Sequence, residues 1–252
     1  MNIGISQLAF ENISDIIEML EYLTDLNINN IEIVLSKYNN IEEAITLKSK
    51  LNLYKIKTLS TQSILFNSKI KDFTDFNLMY YMSNLIEKCK LLNVDTLILG
   101  SPSCRNMLDY SKLKEIFGYI DSLLINSDKI LCIEPNCKKY NGKYFHSISE
   151  IVDFITDCGF SNIKSMIDTH NIKYEGSDPQ KCYEEYLEYI YHIHISEDNL
   201  SPFLISDSHY NLSDSIKNSK YNKTITYEVL PHANIKESIK NFSKIYGNIN
   251  EA

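Results

Sequence analysis

The chain has 252 residues, a formal net charge of −8 and seven glycines. That length buries roughly 70 to 75% of the unfolded chain's surface, which suits one large α/β domain, and no Pro/Gly/Ser-rich linker divides it. Lysines scattered among acids argue against a nucleic-acid surface, no glycine pair frames a phosphate-cradling loop, and no stretch approaches about 18 uninterrupted apolar residues.

In chain order, strand-like runs fall at 2–7 (NIGISQ), 30–35 (NIEIVL), 55–60 (KIKTLS), 95–100 (DTLILG), 129–134 (KILCIE), 163–168 (IKSMID), 190–196 (IYHIHIS) and 223–229 (KTITYEV). Between them lie amphipathic segments such as ISDIIEMLEYLTDL, FNLMYYMSNLIEKCKLL, SKLKEIFGYIDSLL and SISEIVDFITDC, with apolar residues at three- and four-residue spacing. Ser149 and Asp178 stand where helix N-caps are expected, the second followed by Pro179 at the first helical position. Eight strand-helix units of about 30 residues predict an α/β fold, a single-domain (β/α)8 TIM barrel over 1–252, with a doubly wound open sheet as the alternative.

The six cysteines form no CxxC pair, so they are expected to be reduced, mostly buried thiols rather than a zinc site or a disulfide framework. MNIGISQLAF carries no basic segment ahead of its apolar run. The expectation is a soluble, cytoplasmic protein with no membrane partner.

Four strand-like runs end on polar, ionisable residues: Glu134 in CIEPN, Asp168 in IDTH, His194 in YIYHIHISE and Glu228 in TYEVL. A single solvated Glu before a proline is an ordinary strand terminator. In a barrel, however, the C-terminal ends of strands 5 to 8 are neighbours, so the four would converge on one point at the face where βα loops begin. Three carboxylates at close range raise one another's pKa or demand a cation. An oxygen-rich set with one nitrogen suits Mn²⁺ or Mg²⁺, with Co²⁺ or Zn²⁺ as alternatives.

These residues resemble the xylose isomerase-like TIM barrels, the superfamily of sugar (phosphate) isomerases and epimerases, hydroxypyruvate isomerase, inosose dehydratase and endonuclease IV. CIEPN looks like the family's Glu-Pro on strand 5, IDTH like its Asp-Thr on strand 6, HIHISEDNL like its His-x-His on strand 7 and TYEVL like its Glu on strand 8. The resemblance implies that Glu134, Asp168, His194 and Glu228 hold one divalent metal ion. His192 shares a strand face with His194 and lies deeper, as a packing residue behind the ligands. TQSILFN, GSPSCRN and SDSHYNL place Gln62, Ser101, Arg105, Asp207 and His209 on loops near the site, with Arg105 and His209 suited to a substrate's carboxylate, phosphate or hydroxyls. A solvated loop charge is the other reading of Arg105.

Three departures from the family bear on substrate. His170 follows Asp168 by two residues where the family often spaces the pair by three, and this puts its role as a substrate contact in question. Leu200 stands where family ketose epimerases carry an Arg, and Ser213 and Ser215 replace a Gly-x-Gly of phosphate-binding members.

The function this implies is a metal-dependent sugar or sugar phosphate isomerase/epimerase. It works through a cis-enediolate, with Glu134 and Glu228 as the catalytic acid/base pair and Gln62, Arg105, His170 and His209 as substrate-binding residues. The alternatives are a dehydratase acting on a related polyol or inosose, an endonuclease IV-like nuclease, and a non-catalytic binding barrel. The nuclease lacks support from IEIVLSKY and TLSTQSILF, which contain no histidines. Expected partners are a small carbohydrate and no nucleic acid, with a homodimer as an open arrangement.

Overall fold

The computed structural model describes residues 1–38, 40–65, 70 and 72–247. Phe66 and Asn67 of TQSILFN and residues 248–252 lie outside that set. The strands are β1 (Asn2–Ser6), β2 (Asn30–Glu32), β3 (Ser60–Thr61), β4 (Thr96–Leu99), β5 (Ile130–Ile133), β6 (Ile163–Asp168), β7 (Ile190–Ser196) and β8 (Thr224–Glu228). They form one sheet in the order β2-β1-β8-β7-β6-β5-β4-β3, and every pairing within it is parallel. Bridges Asn30–Lys57 and Ile33–Thr61 bring β2 against β3, which closes the sheet into a barrel.

The helices are α1 (Ile13–Asp25), α2 (Ile41–Leu53), α3 (Leu78–Leu92), α4 (Tyr110–Ile125), α5 (Ile148–Cys158), α6 (Thr169–Tyr174), α7 (Pro179–Tyr186), α8 (Asp207–Lys217) and α9 (Ile235–Tyr246). This is the (β/α)8 barrel that the alternation of elements predicts, not the open sheet. No helix among the described residues is long and apolar enough to cross a membrane. All six cysteines are free thiols, four of them buried.

Several boundaries differ from the sequence expectation: β2 ends at Glu32 rather than at 35, where Leu35–Lys37 form a 3-10 turn, and two other shifts have a clear cause. Ser147, not Ser149, caps α5: its side chain accepts the Glu150 N–H, and Ser149 sits inside the first turn. Both are Ser, so residue type alone does not separate them, and Glu150 reaching back to the His146 N–H settles the start. The third strand is later and shorter than 55–60. Lys55 has φ 58°, a left-handed turn residue after α2, and the Leu59 N–H is taken by Asn30 Oδ1 at 2.8 Å instead of a ladder partner. The ladder therefore resumes only at Ser60. Asp178 with Pro179 opens α7 as expected, its carboxylate accepting the Gln180 and Lys181 N–H groups.

Helices pack their apolar faces against the strands, and Phe117, Phe145 and Phe154 meet in edge-on or tilted contacts at centroid separations of 5.0 to 6.1 Å on one side of the barrel. The mostly buried Asp121 of α4 anchors the β6 side: its carboxylate accepts the Asn162 N–H at 2.8 Å and the Ser161 N–H at 3.3 Å. Asp121→Ala strands those backbone donors, and a loss of roughly 1–3 kcal/mol in urea-denaturation stability is expected.

Candidate metal centre

His194 on β7 stands opposite Asp168 on β6, and two residues further along β7 Ser196 stands opposite Glu228 on β8. Glu134 immediately follows β5. One ligand atom from each of Glu134, Asp168, His194 and Glu228 lies within 4.8 Å of every other. The four residues that the sequence places on separate strands are thus brought together, and each is buried or nearly so.

Each is held by its own local chemistry. Asp168 doubles as the N-cap of α6: its Oδ1 accepts the Asn171 N–H at 2.7 Å and the Ser196 hydroxyl at 3.0 Å, so Oδ2 keeps its lone pairs for the centre. Thr169 pins the same corner, donating its hydroxyl to the Ser196 carbonyl and accepting the Ser196 N–H. Glu134 Oε2 accepts from Asn136 Nδ2 at 3.3 Å. Gly100 is required here, because a Cβ at that position would collide with Glu134 Oε2.

His194 carries the key orphan. Its Nε2 contacts Glu32 Oε1 at 2.8 Å, whereas its Nδ1 is buried without a hydrogen-bond partner, 3.5 Å from Glu134 Oε1 and 3.4 Å from Glu228 Oε2. A buried imidazole nitrogen facing two carboxylates is the donor arrangement of a cation-binding centre. The donor set of three carboxylates and one imidazole fits a divalent metal.

The electrostatics say the same. Burial, then Glu134 and Glu228, push the Asp168 carboxyl well above its ordinary value. Burial raises Glu228 too, with His194 working against it. Burial disfavours a charged His194, yet Glu32 and Glu228 outweigh that and hold its pKa well above an ordinary imidazole. Burial and mutual repulsion disfavour the ionised carboxylates, a cost that a divalent ion bound there would offset.

The residues expected to bind substrate are distributed differently. Gln62 follows β3 and donates to the Ser6 hydroxyl. His170, in the first turn of α6, lies against Lys139 Nζ at 2.8 Å and Asp198 Oδ1 at 3.5 Å, and Lys139 in turn sits over the Tyr140 and Tyr174 rings. Burial and then Lys139 lower the His170 pKa, so a neutral ring accepts from the lysine. Arg105 is fully buried: its guanidinium lies 5.0 Å from the Phe145 ring and one terminal nitrogen donates to Asn136 Oδ1 at 3.3 Å. Its hydrogen-bond route to Glu134 runs through Asn136, and the two charges also attract directly. His209 contacts Glu197 Oε1 at 2.9 Å and the Tyr246 hydroxyl at 3.0 Å and packs on Phe203, which ties α8 to α9 outside the four-residue cluster. Asp207 is exposed in the first turn of α8.

Glu32, Asn136, Thr169 and Ser196 are the participants that sequence reading misses. Glu32 had a signal: in NIEIVL a lone carboxylate stands between Ile31 and Ile33, and strand alternation sends it to the face opposite those two. For the other three no local pattern distinguishes them from ordinary loop and strand polar residues. The close approach at Gly100 yields a test: Gly100→Ala should displace the Glu134 carboxylate and weaken Mn²⁺ binding in calorimetry by at least about 10-fold, with the melting temperature little changed.

No family model matches the sequence, and no curated protein matches it in sequence. Solved structures do match in fold. The apo 3-keto-D-glucoside 4-epimerase YcjR of E. coli superposes with a TM-score of 0.77 at 14% identity over 100% of both chains. D-psicose 3-epimerase of Clostridium cellulolyticum H10 gives 0.74 at 17% identity, covering 98% of this chain and 92% of that one. The probable 3-DHS dehydratase AsbF of Bacillus anthracis gives 0.70 at 13% identity over 99% and 100%. At these identities the likeness concerns architecture, the (β/α)8 barrel that this chain shares with these structures.

Proposed function

We propose that this protein is a divalent-metal-dependent isomerase or epimerase of a carbonyl sugar, free or phosphorylated, that moves a carbon-bound proton through a cis-enediolate. The observation that carries the proposal is the placement of Glu134 and Glu228 on separate strands at 3.5 and 3.4 Å from the same unpartnered His194 Nδ1. Two carboxylates converging on one cation from different staves of the barrel supply an acid and a base to a substrate lying between them. A bound divalent ion supplies polarisation of the substrate carbonyl and neutralisation of the developing enediolate charge.

The chain's own residues do the rest. Asp168, fixed by the Asn171 N–H and the Ser196 hydroxyl, and His194, fixed by Glu32, cannot swing away, so they hold and orient. Glu134 and Glu228 take a proton from one carbon position and return it at the same or the adjacent carbon. Burial and Glu134 raise the Glu228 pKa, and a divalent ion held beside it would work against that shift. Gln62 and His170 are the substrate contacts in this reading; Arg105 steadies Glu134 through Asn136, and His209 braces α8 against α9. Mn²⁺ or Mg²⁺ fits the donor set best, and the small carbohydrate is the partner.

A dehydratase reading is favoured by one observation, the fold likeness to AsbF, since the same enediolate can expel a β-hydroxyl instead of taking a proton. Incubation in D₂O with ketoses, aldoses, their phosphates and inososes separates the two, because an epimerase or isomerase incorporates deuterium on carbon with no loss of water from the substrate. Deuterium appearing in no candidate substrate of the panel, with Mn²⁺ bound, sinks the isomerase reading.

Two outcomes are expected. One Mn²⁺ binds per chain, and Asp168→Ala, which removes the donor outright, abolishes the binding measured by calorimetry while circular dichroism stays native. Glu228→Gln keeps the side chain's size and one ligating oxygen, so metal remains bound, but turnover falls at least about 100-fold for want of a proton acceptor.

A further inference from the structure

Against the four-residue centre lies a further buried acid, Glu32, whose contact with His194 the proposed chemistry uses without saying what that contact does to the ring. Glu32 on β2 is completely buried. Its Oε1 contacts His194 Nε2 at 2.8 Å. Its Oε2 accepts the Ser60 hydroxyl at 2.7 Å and the Thr226 hydroxyl at 3.4 Å, and His192 Nε2 lies 2.8 Å away but outside hydrogen-bond alignment. An unpaired buried carboxylate costs several kcal/mol, so a fold that keeps one surrounds it with donors, as β3, β7 and β8 do here.

We infer that Glu32 is a positioning residue for the metal: it holds the His194 ring so that the proton sits on Nε2 and the Nδ1 lone pair faces Glu134 and Glu228. The geometry leaves His194 little choice. An imidazole has two distinct nitrogens, and the acceptor placed against one dictates where the lone pair of the other is presented. With Oε1 at 2.8 Å from Nε2, a ring that gives up its Nδ1 proton to bind a cation keeps its remaining hydrogen on Nε2. The carboxylate also increases the basicity of the ring as a ligand. Ser60 and Thr226 fix Glu32 in turn, so the orientation of one ligand is set from three strands that carry none of the other ligands except Glu228.

The same atoms admit a rival, because Glu32, His192 and His194 could themselves gather around an ion. Stoichiometry separates the two. Glu32 as a positioning residue predicts one Mn²⁺ per chain and a rank order of affinities set by Glu32. Glu32 as a ligand predicts two, the second lost in His192→Ala.

The inference rests on the metal reading of the site, and titration calorimetry with Mn²⁺, alongside the visible absorption of the Co²⁺-loaded protein, tests both separately. If the native chain binds neither ion, the metal reading itself fails. If it binds one ion, Glu32→Gln should weaken Mn²⁺ binding by about 10- to 100-fold and alter the Co²⁺ ligand-field bands, because the amide offers one acceptor where two imidazoles and two hydroxyls converge. Native affinity and an unchanged Co²⁺ spectrum in Glu32→Gln overturn the positioning role while leaving the metal centre intact, as does a second ion that His192→Ala removes. Should Glu32→Gln lose its native circular dichroism, Ser60→Ala decides instead: it leaves the charge but removes the shorter of the two hydroxyl contacts that fix Oε2. A several-fold weaker Mn²⁺ affinity is expected there, and native affinity overturns the inference.

Discussion

The structure depends on keeping charge inside a barrel that has little water to solvate it. Four carboxylates, Glu32, Glu134, Asp168 and Glu228, gather around the single imidazole of His194, and all but Glu134 are fully or almost fully buried. Each ion taken from water costs several kcal/mol, and their mutual repulsion adds to it. The molecule meets this with layers. Below, Glu32 is neutralised by histidines and hydroxyls, and its carboxyl is held far below the usual range by His194 and His192 despite the burial that opposes this. Above, Glu134, Asp168 and Glu228 repel one another around the unpartnered His194 Nδ1.

The layers are possible because parallel strands with a two-residue period stack side chains at defined depths. His192 and His194 point the same way on β7, and register places His194 opposite Asp168 and Ser196 opposite Glu228. A slip of one residue on any of these strands would send a charged group outward into the packed helices. The corner between β6 and β7 resists such a slip, since Thr169 and Ser196 exchange two hydrogen bonds at 2.8 and 2.9 Å across it.

Outside this shell, polar groups serve the frame. His209 between Glu197 and Tyr246 and Asp121 at the start of β6 are satisfied networks that fix where helices dock. Arg105 is intermediate: a cation buried beside Phe145, with burial pressing its pKa down, whose hydrogen-bond route to the centre runs through Asn136. Such buried, bonded groups trade solvation for position, and the four-residue cluster inherits the result.

By itself the sequence determined the alternation of strands and helices, and with it the barrel, because apolar period and cap chemistry are local. CIEPN, IDTH, HIHISE and TYEVL also announced their polar endings, since a strand end with an ionisable residue can be read without knowing its neighbours. Which serine caps α5 and where β3 pairs were settled by competition for particular N–H groups, as when Asn30 Oδ1 captures the Leu59 N–H. Only the tertiary structure decided that Glu32 lies under His194, that Arg105 stops at Asn136, and that His209 faces Tyr246. Those contacts join residues 162, 31 and 37 positions apart, and no local pattern encodes a distance that barrel closure alone creates.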